Sequence, residues 1–110
     1  MIDYYKILGV NESDSKDRII FAYKNLMSSY NAEMTSDRNY LTHYRAIFES
    51  YFVLREKDLR KRYDKIYTQK NDDIFSEFRK NVYVKMKKSK EEMSTGEILL
   101  HLIADVFTVL

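Results

Sequence analysis

Residues 22–30 read Ala22-Tyr23-Lys24-Asn25-Leu26-Met27-Ser28-Ser29-Tyr30, and Asn31-Ala32-Glu33 follows directly. Apolar side chains recur here and just before at helical spacing: Ile19, Ala22, Tyr23, Leu26 and Tyr30. The next residues are polar and contain no proline that would fix a turn. We therefore predict a helix from Lys16 to Tyr30, capped by Ser15, that runs into a loop from Asn31 to about Arg38.

A second long helix is predicted after this loop, roughly from Asp37 to Leu54. Its apolar stripe consists of Leu41, Tyr44, Ile47, Tyr51 and Leu54. Two helices joined by a short loop favour an antiparallel hairpin, with Asn31-Ala32-Glu33 at its tip. Phe48 and Phe52 lie outside the stripe, one turn apart, and together with Phe21 they indicate a second apolar surface.

The composition predicts an all-α protein without catalytic chemistry. The 110 residues include no proline, two glycines and no cysteine, so little interrupts a helix and no disulfide can form. His43 and His101 are far apart in sequence, and we predict no metal site, no cofactor and no enzymatic activity. The N-terminus lacks the basic and apolar runs of a secretory signal, so a cytoplasmic location is expected.

The N-terminal residues predict a short first helix. Asp3 can cap a helix from Tyr4 to Leu8, and Gly9 supplies a left-handed stop. The whole segment, Asp3-Tyr4-Tyr5-Lys6-Ile7-Leu8-Gly9-Val10, resembles the opening of a J-domain almost residue for residue.

Further segments carry the same resemblance at the family's spacing. The second long helix has apolar residues on the family's core positions: Tyr44, Ile47, Tyr51, Val53 and Leu54. Residues 56–64 resemble the short final J-domain helix, in which an Arg and a Tyr-Asp pair tie the segment back to the hairpin. The resemblance covers residues 3 to 67. It implies a J-domain fold for residues 1–68, with short first and fourth helices beside the hairpin.

The resemblance also implies a partner. In J-domains the helix equivalent to residues 16–30 ends in Tyr and is followed by His-Pro-Asp, the tripeptide that engages a DnaK-type chaperone and speeds its ATP hydrolysis. This chain has Asn31-Ala32-Glu33 at that place. Glu33 keeps the acid charge, but the imidazole and the proline ring are absent. The working tripeptide of the family is therefore missing.

The outward face of the same helix departs from the family as well. In J-domains this face is strongly basic and lies against an acidic surface of the chaperone. Here Ile20, Phe21 and Asn25 stand where the family often has Lys or Arg, and Lys24 is the basic residue that is clearly retained. The resemblance thus implies a degenerate chaperone-interaction site at Tyr23, Lys24, Asn31, Ala32 and Glu33.

Residues 69–110 are predicted to form a helical extension. Asn71-Asp72-Asp73 is a plausible cap for a helix with the apolar stripe Ile74, Phe75, Phe78, Val82 and Met86, which is expected to cover Phe48 and Phe52. Residues 79–90 are basic and contain no acid: Arg79, Lys80, Lys85, Lys87, Lys88 and Lys90. A solvated helix end explains this basic patch, and a contact with anionic lipid or nucleic acid is the alternative.

Residues 97–110 are predicted to form an apolar helix. Its polar residues, His101, Asp105 and Thr108, form only a narrow stripe. The segment is too short to span a bilayer, which takes about 20 apolar residues. We expect it to pair with a second copy in a homodimer. The alternative is the first half of a membrane anchor, preceded by the basic patch, if the native sequence continues beyond Leu110.

Three functional hypotheses follow. The first is a J-like adaptor or regulator that does not stimulate a DnaK-type ATPase and binds a protein partner, either the chaperone or a true J-protein. The second is a divergent but active co-chaperone. The third is a module for the cytoplasmic face of a membrane or for nucleic acid, with nucleic acid least favoured. The candidate partner-binding residues are Ile20, Phe21, Phe48 and Phe52.

Overall fold

The computed structural model describes residues 1–29 and 38–89, except for the side chains of residues 38–41. These residues form five helices and no strand, so the prediction of an all-α fold is confirmed. The helices are α1 (Tyr4–Leu8), α2 (Lys16–Ser28), α3 (Arg38–Arg55), α4 (Lys57–Gln69) and α5 (Asp72–Ser89). The predicted helix at residues 97–110 lies outside the described residues.

Local capping sets the ends of the first two helices. The Asp3 carboxylate accepts a hydrogen bond from the backbone N–H of Lys6 at 3.0 Å, and Gly9 ends α1 with φ 68°, as predicted. The Ser15 hydroxyl caps α2 in the same way. This helix ends at Ser28 and not at Tyr30, because Ser29 forms its C-cap and donates its hydroxyl to a backbone carbonyl in the last turn. Tyr30 lies outside the described residues.

Helix α4 is longer than the motif at residues 56–64 predicts. The Glu56 carboxylate caps it by accepting a hydrogen bond from the Leu59 N–H at 2.6 Å. The helix then continues to Gln69, where Lys70 stops it in the left-handed conformation with φ 52°. Helix α3 ends at Arg55, one residue beyond the predicted Leu54, and Asp37, its predicted start, lies outside the described residues.

Helices α2 and α3 form the predicted antiparallel hairpin. Tyr23 and Tyr51 stack face to face across it, with ring centroids 3.8 Å apart and an angle of 8° between the planes. The Arg55 guanidinium lies 5.1 Å from the Tyr51 ring. Lys16, at the start of α2, and Arg55, at the end of α3, line one cleft, so the two helices run in opposite directions.

Helices α1 and α4 close one side of this hairpin. Tyr63, from α4, is fully buried and packs against the Tyr4 ring at 4.6 Å. Its hydroxyl accepts a hydrogen bond from the Tyr4 N–H at 3.0 Å and donates one to the Ile2 carbonyl at 2.7 Å. The aromatic contact and the two hydrogen bonds hold the N-terminus against α4.

Arg60 and Asp64 of α4 bond to α1 and to the link before α2. Arg60 donates to the Glu12 carbonyl at 3.0 Å and to the Asp14 carbonyl at 2.6 Å, both in the link before α2. Asp64 accepts a hydrogen bond from the Tyr5 hydroxyl. These two side chains therefore hold α4 against α1 and the link before α2.

Helix α5 extends the same hydrophobic core beyond the J-like segment. Its buried residues are Phe75, Phe78, Val82 and Met86. Ile74 was predicted to belong to this stripe but is 46% exposed, because the stripe that faces the core begins at the neighbouring Phe75. The division of the chain after residue 68 stays a prediction, although α5 shares one core with the preceding helices.

Phe48 and Phe52 are buried inside the chain, with 2% and 6% of their surface exposed. Arg45 and Glu49 lie on the same side of α3 and bond to Tyr83 and Arg79 of α5. This side of α3 therefore faces α5, and the two rings join the core cluster that includes the buried residues of α5. Their proposed role in binding a partner is wrong, because a partner cannot reach them in this fold.

Candidate chaperone-interaction surface

The hairpin turns one face of α2 towards solvent. Ile19 is fully buried on the opposite side, which fixes the orientation of the helix. The exposed residues of α2 are Lys16, Asp17, Arg18, Phe21, Lys24, Asn25 and Ser28. This is the face that the resemblance assigns to the chaperone contact.

Phe21 is the main apolar feature of this face, with 54% of its surface exposed. The Arg18 guanidinium lies 5.5 Å from the Phe21 ring centroid, within the range of a cation–π contact. Ile20 is half-buried and contributes less. Arg18 is not among the predicted contact residues, although its spacing of three residues from Phe21 places both on one side of a helix. This face therefore combines the exposed Phe21 ring with cationic side chains.

Of the other predicted contact residues on α2, Lys24 is exposed and Tyr23 is half-buried. Burial raises the pKa of Tyr23 above its ordinary value, and the stacked Tyr51 adds to this effect. Tyr23 thus serves the hairpin, whereas Lys24 is available to a partner. Asn31, Ala32 and Glu33 lie outside the described residues.

A buried polar network lies between α1, α3 and α5. Glu49 accepts a hydrogen bond from the Tyr4 hydroxyl. It also accepts a bidentate pair from Arg79, in which Nε lies 3.1 Å from Oε2 and Nη2 lies 3.1 Å from Oε1. Burial, followed by the charge and hydrogen bond of Glu49, raises the pKa of Tyr4 far above its ordinary value. Tyr4 therefore remains a neutral donor. Burial acts to lower the pKa of Arg79, but Glu49 outweighs it and raises that pKa.

This network changes the interpretation of the basic patch. Arg79 is half-buried and pairs with Glu49, so its charge is engaged within the fold. Lys80 forms an exposed ion pair with Glu77 at 3.2 Å. The remaining described lysines of the patch, Lys85, Lys87 and Lys88, are exposed, and Lys90 lies outside the described residues. Two of the five predicted cations that the structure describes therefore have carboxylate partners.

Metal-binding clusters and membrane-spanning helices are absent from the part of the chain that the structure describes. No group of three or more His, Asp or Glu side chains in residues 1–29 and 42–89 is placed to hold a metal ion. Among the helices that the structure describes, none is long and apolar enough to cross a membrane.

Comparison with known proteins agrees with this architecture. The family model described as "DnaJ domain" matches residues 3–64. The chaperone protein DnaJ of Hydrogenobacter thermophilus is 27% identical over 107 residues, which cover 91% of this chain and 30% of that protein. DnaJ of Chlorobium limicola is 41% identical over 63 residues, covering 56% and 16%. The curved DNA-binding protein of Serratia proteamaculans is 33% identical over 73 residues, covering 66% and 24%.

Two observations agree. The α2–α3 hairpin packs with a short N-terminal helix and with α4, and the family model matches more than half of the chain. The chain belongs to the DnaJ domain family. It spans less than a third of the length of these relatives. No solved structure matches it.

Proposed function

We propose that this chain is a J-like adaptor or regulator in a DnaK-type chaperone system and that it does not stimulate the chaperone ATPase. One observation carries the proposal: Asn31-Ala32-Glu33 replaces His-Pro-Asp inside an otherwise sustained family match over residues 3–64. An amide and a methyl group replace the imidazole and the proline ring. A chain without the tripeptide can still bind a protein partner through another surface of the domain, without stimulating the ATPase.

The exposed face of α2 supports a changed mode of contact. Phe21 presents an exposed ring where the family often has a cation, and Asp17 adds an acid near the start of the helix. A partner that meets this face would bury the ring and gain apolar contact in addition to the charges of Arg18 and Lys24. A J-protein or a chaperone fits this face if its own contact surface includes a small apolar patch.

Single-turnover ATP hydrolysis tests the proposal. A DnaK-type chaperone loaded with ATP is mixed with an excess of this protein, and an authentic J-domain serves as the positive control. We expect the hydrolysis rate to stay at the basal value with this protein. Clear acceleration by the unmodified chain would refute the loss of stimulation.

Competition in the same assay tests the adaptor role. If the chain occupies the chaperone or the active J-domain, an excess of it lowers the stimulation that the J-domain produces. Phe21→Ala should weaken this inhibition, whereas Ile74→Ala removes an exposed apolar side chain on α5 and serves as the matched control. An absence of inhibition, together with no complex in sedimentation, would refute the adaptor role.

An active divergent co-chaperone is the second candidate, and Arg18 and Lys24 favour it because both remain exposed on α2. The variant Asn31→His, Ala32→Pro, Glu33→Asp separates the two ideas. Under our proposal it gains at most weak activity, since the α2 face still differs from that of the family. Under the second candidate, the unmodified chain is already active and the variant changes little.

A further inference from the structure

A cleft of about 500 Å³ lies where the start of α2, the end of α3 and the first half of α4 meet. Leu54, which is 1% exposed, lies at its base. Five cationic side chains line it: Lys16, Arg55, Lys57, Arg60 and Lys61. The cleft lies at the start of α2, whereas the degenerate tripeptide follows the end of that helix. Lys16 is the one lining residue that also belongs to the exposed face of α2, and the other six lie on α3 and α4.

Five cations and one acid line this cleft, so the described lining carries a net positive charge. Asp64 is the one acid among the lining residues, and it already accepts a hydrogen bond from the Tyr5 hydroxyl. Among the described residues, Lys16, Lys57 and Lys61 take part in none of the ion pairs. Like charges that converge on one cleft repel each other, and a bound anion removes that cost.

The two arginines already have internal roles. Arg60 directs its guanidinium to the Tyr5 hydroxyl and to the carbonyls of the link before α2. Arg55 lies over the rings of Tyr51 and Phe52. The cations left for a ligand are mainly lysine ammonium groups.

The chemistry of these groups indicates the class of ligand. Lysine binds phosphate as a point charge, whereas a planar carboxylate is best matched by a guanidinium that is still available for two parallel hydrogen bonds. Lysines from α2 and α4 that surround a compact space suit an anion with several charges and with oxygens in several directions. We propose that this cleft binds the phosphate group of a small soluble ligand, with Lys16, Lys57 and Lys61 as its principal contacts.

Pyrophosphate is the probe that tests the proposal. Two-dimensional NMR spectra of the isotope-labelled full chain are recorded during titration with pyrophosphate at fixed ionic strength, with sulfate as a comparison anion. We expect saturable shifts of the backbone amides of residues 16–18 and 54–61, with weaker binding as salt is raised. An absence of saturation up to millimolar pyrophosphate, or shifts spread evenly over all lysine-bearing segments, would overturn the proposal.

Charge-matched variants locate the site. Lys57→Gln with Lys61→Gln removes two lining cations at exposed positions where glutamine is nearly as good a helix former. Lys6→Gln with Lys65→Gln removes two exposed cations that do not line the cleft. The first pair should weaken pyrophosphate binding by about tenfold or more, and the control pair by less than about twofold. An equal loss in both would assign the binding to net charge and overturn the site.

Vesicles distinguish the source of the phosphate. Co-sedimentation uses phosphatidylcholine vesicles with and without phosphatidylserine. Failure to sediment with either, together with pyrophosphate binding, supports a soluble ligand. Sedimentation with the anionic vesicles that the Lys57→Gln, Lys61→Gln variant loses, without any pyrophosphate binding, would place the ligand in a membrane and overturn the proposal.

Discussion

At the scale of single residues, Glu49 shows how a charge can be kept inside this small core. Its side chain is 1% exposed, and its oxygens are occupied by the Tyr4 hydroxyl and by Arg79. A carboxylate at such a position is tolerated because each of its acceptors has a donor, one of them charged. The pair joins α3 to α5 and therefore fixes how α5 lies on the hairpin.

The first stability prediction concerns this pair. Arg79→Leu leaves the Glu49 charge buried without its cation, and this costs about 3–5 kcal/mol for fully buried pairs. Since a third of the Arg79 side chain is exposed, we expect the free energy of unfolding to fall by about 2–3 kcal/mol in urea melts. Adding Glu49→Gln should recover part of the loss, because the uncompensated charge disappears.

Lys80→Leu is the matched control for that measurement. Lys80 and Glu77 form an ion pair in which both side chains are about three-quarters exposed, and such pairs contribute less than about 1 kcal/mol. If Arg79→Leu is as mild as Lys80→Leu, then the Glu49 pair does not hold α5 in place.

At the scale of elements, the helix ends that carry their own caps could be predicted from the sequence. Asp3, Gly9 and Ser15 bond to backbone groups within about four residues of themselves, so the neighbouring sequence is enough to predict their effect. The length of α4 was not predicted, because it was assigned from the family motif alone and the chain continues in helix past Asp64. The orientation of α5 was also ambiguous, since Ile74 and Phe75 are adjacent and either can begin a stripe through Phe78.

Phe48 and Phe52 show the same limit of prediction from local sequence. Apolar residues outside the main stripe of a helix suit a partner protein and a later helix of the same chain equally well. The contact that decides between them is made by Arg79, which lies in a basic run that looks solvent-exposed in the sequence. The apolar stripe of α5 predicts that this helix covers the two rings, but only the folded chain shows the Arg79 contact that places it there.

The prediction at this scale is a difference between buried and exposed rings. Phe48→Ala and Phe52→Ala should each lower the free energy of unfolding by about 3–5 kcal/mol, since each removes a ring from a packed core. Phe21→Ala should change it by less than about 1 kcal/mol because that ring is half exposed. Denaturant melts of the three variants are compared with the parent. Parent-like midpoints for Phe48→Ala and Phe52→Ala would contradict their burial.

At the scale of the whole molecule, the two candidate surfaces differ in how far the sequence predicts them. The exposed face of α2 follows from one helical stripe, so Phe21 and Lys24 were identified before the fold was known. The cationic cleft gathers Lys16, Arg55 and Lys61 from three helices, and no local pattern joins them. A site made by packing becomes visible only when the helices are assembled.

The last prediction concerns the association of whole chains through residues 98–110, which lie outside the described residues. This segment carries ten apolar side chains, and burial stabilises by about 0.025 kcal/mol per Å² of apolar surface. The described helices already fill one shared core, so we expect the segment to pair with a second copy and not with its own domain. Sedimentation should give a dimer for residues 1–110 and a monomer for residues 1–93. Leu100→Glu with Ile103→Glu should also give a monomer at full length, which separates the loss of apolar contact from the loss of chain. A monomer for both lengths would refute the dimer, and an unchanged melting curve after removal of residues 94–110 would refute burial of the segment.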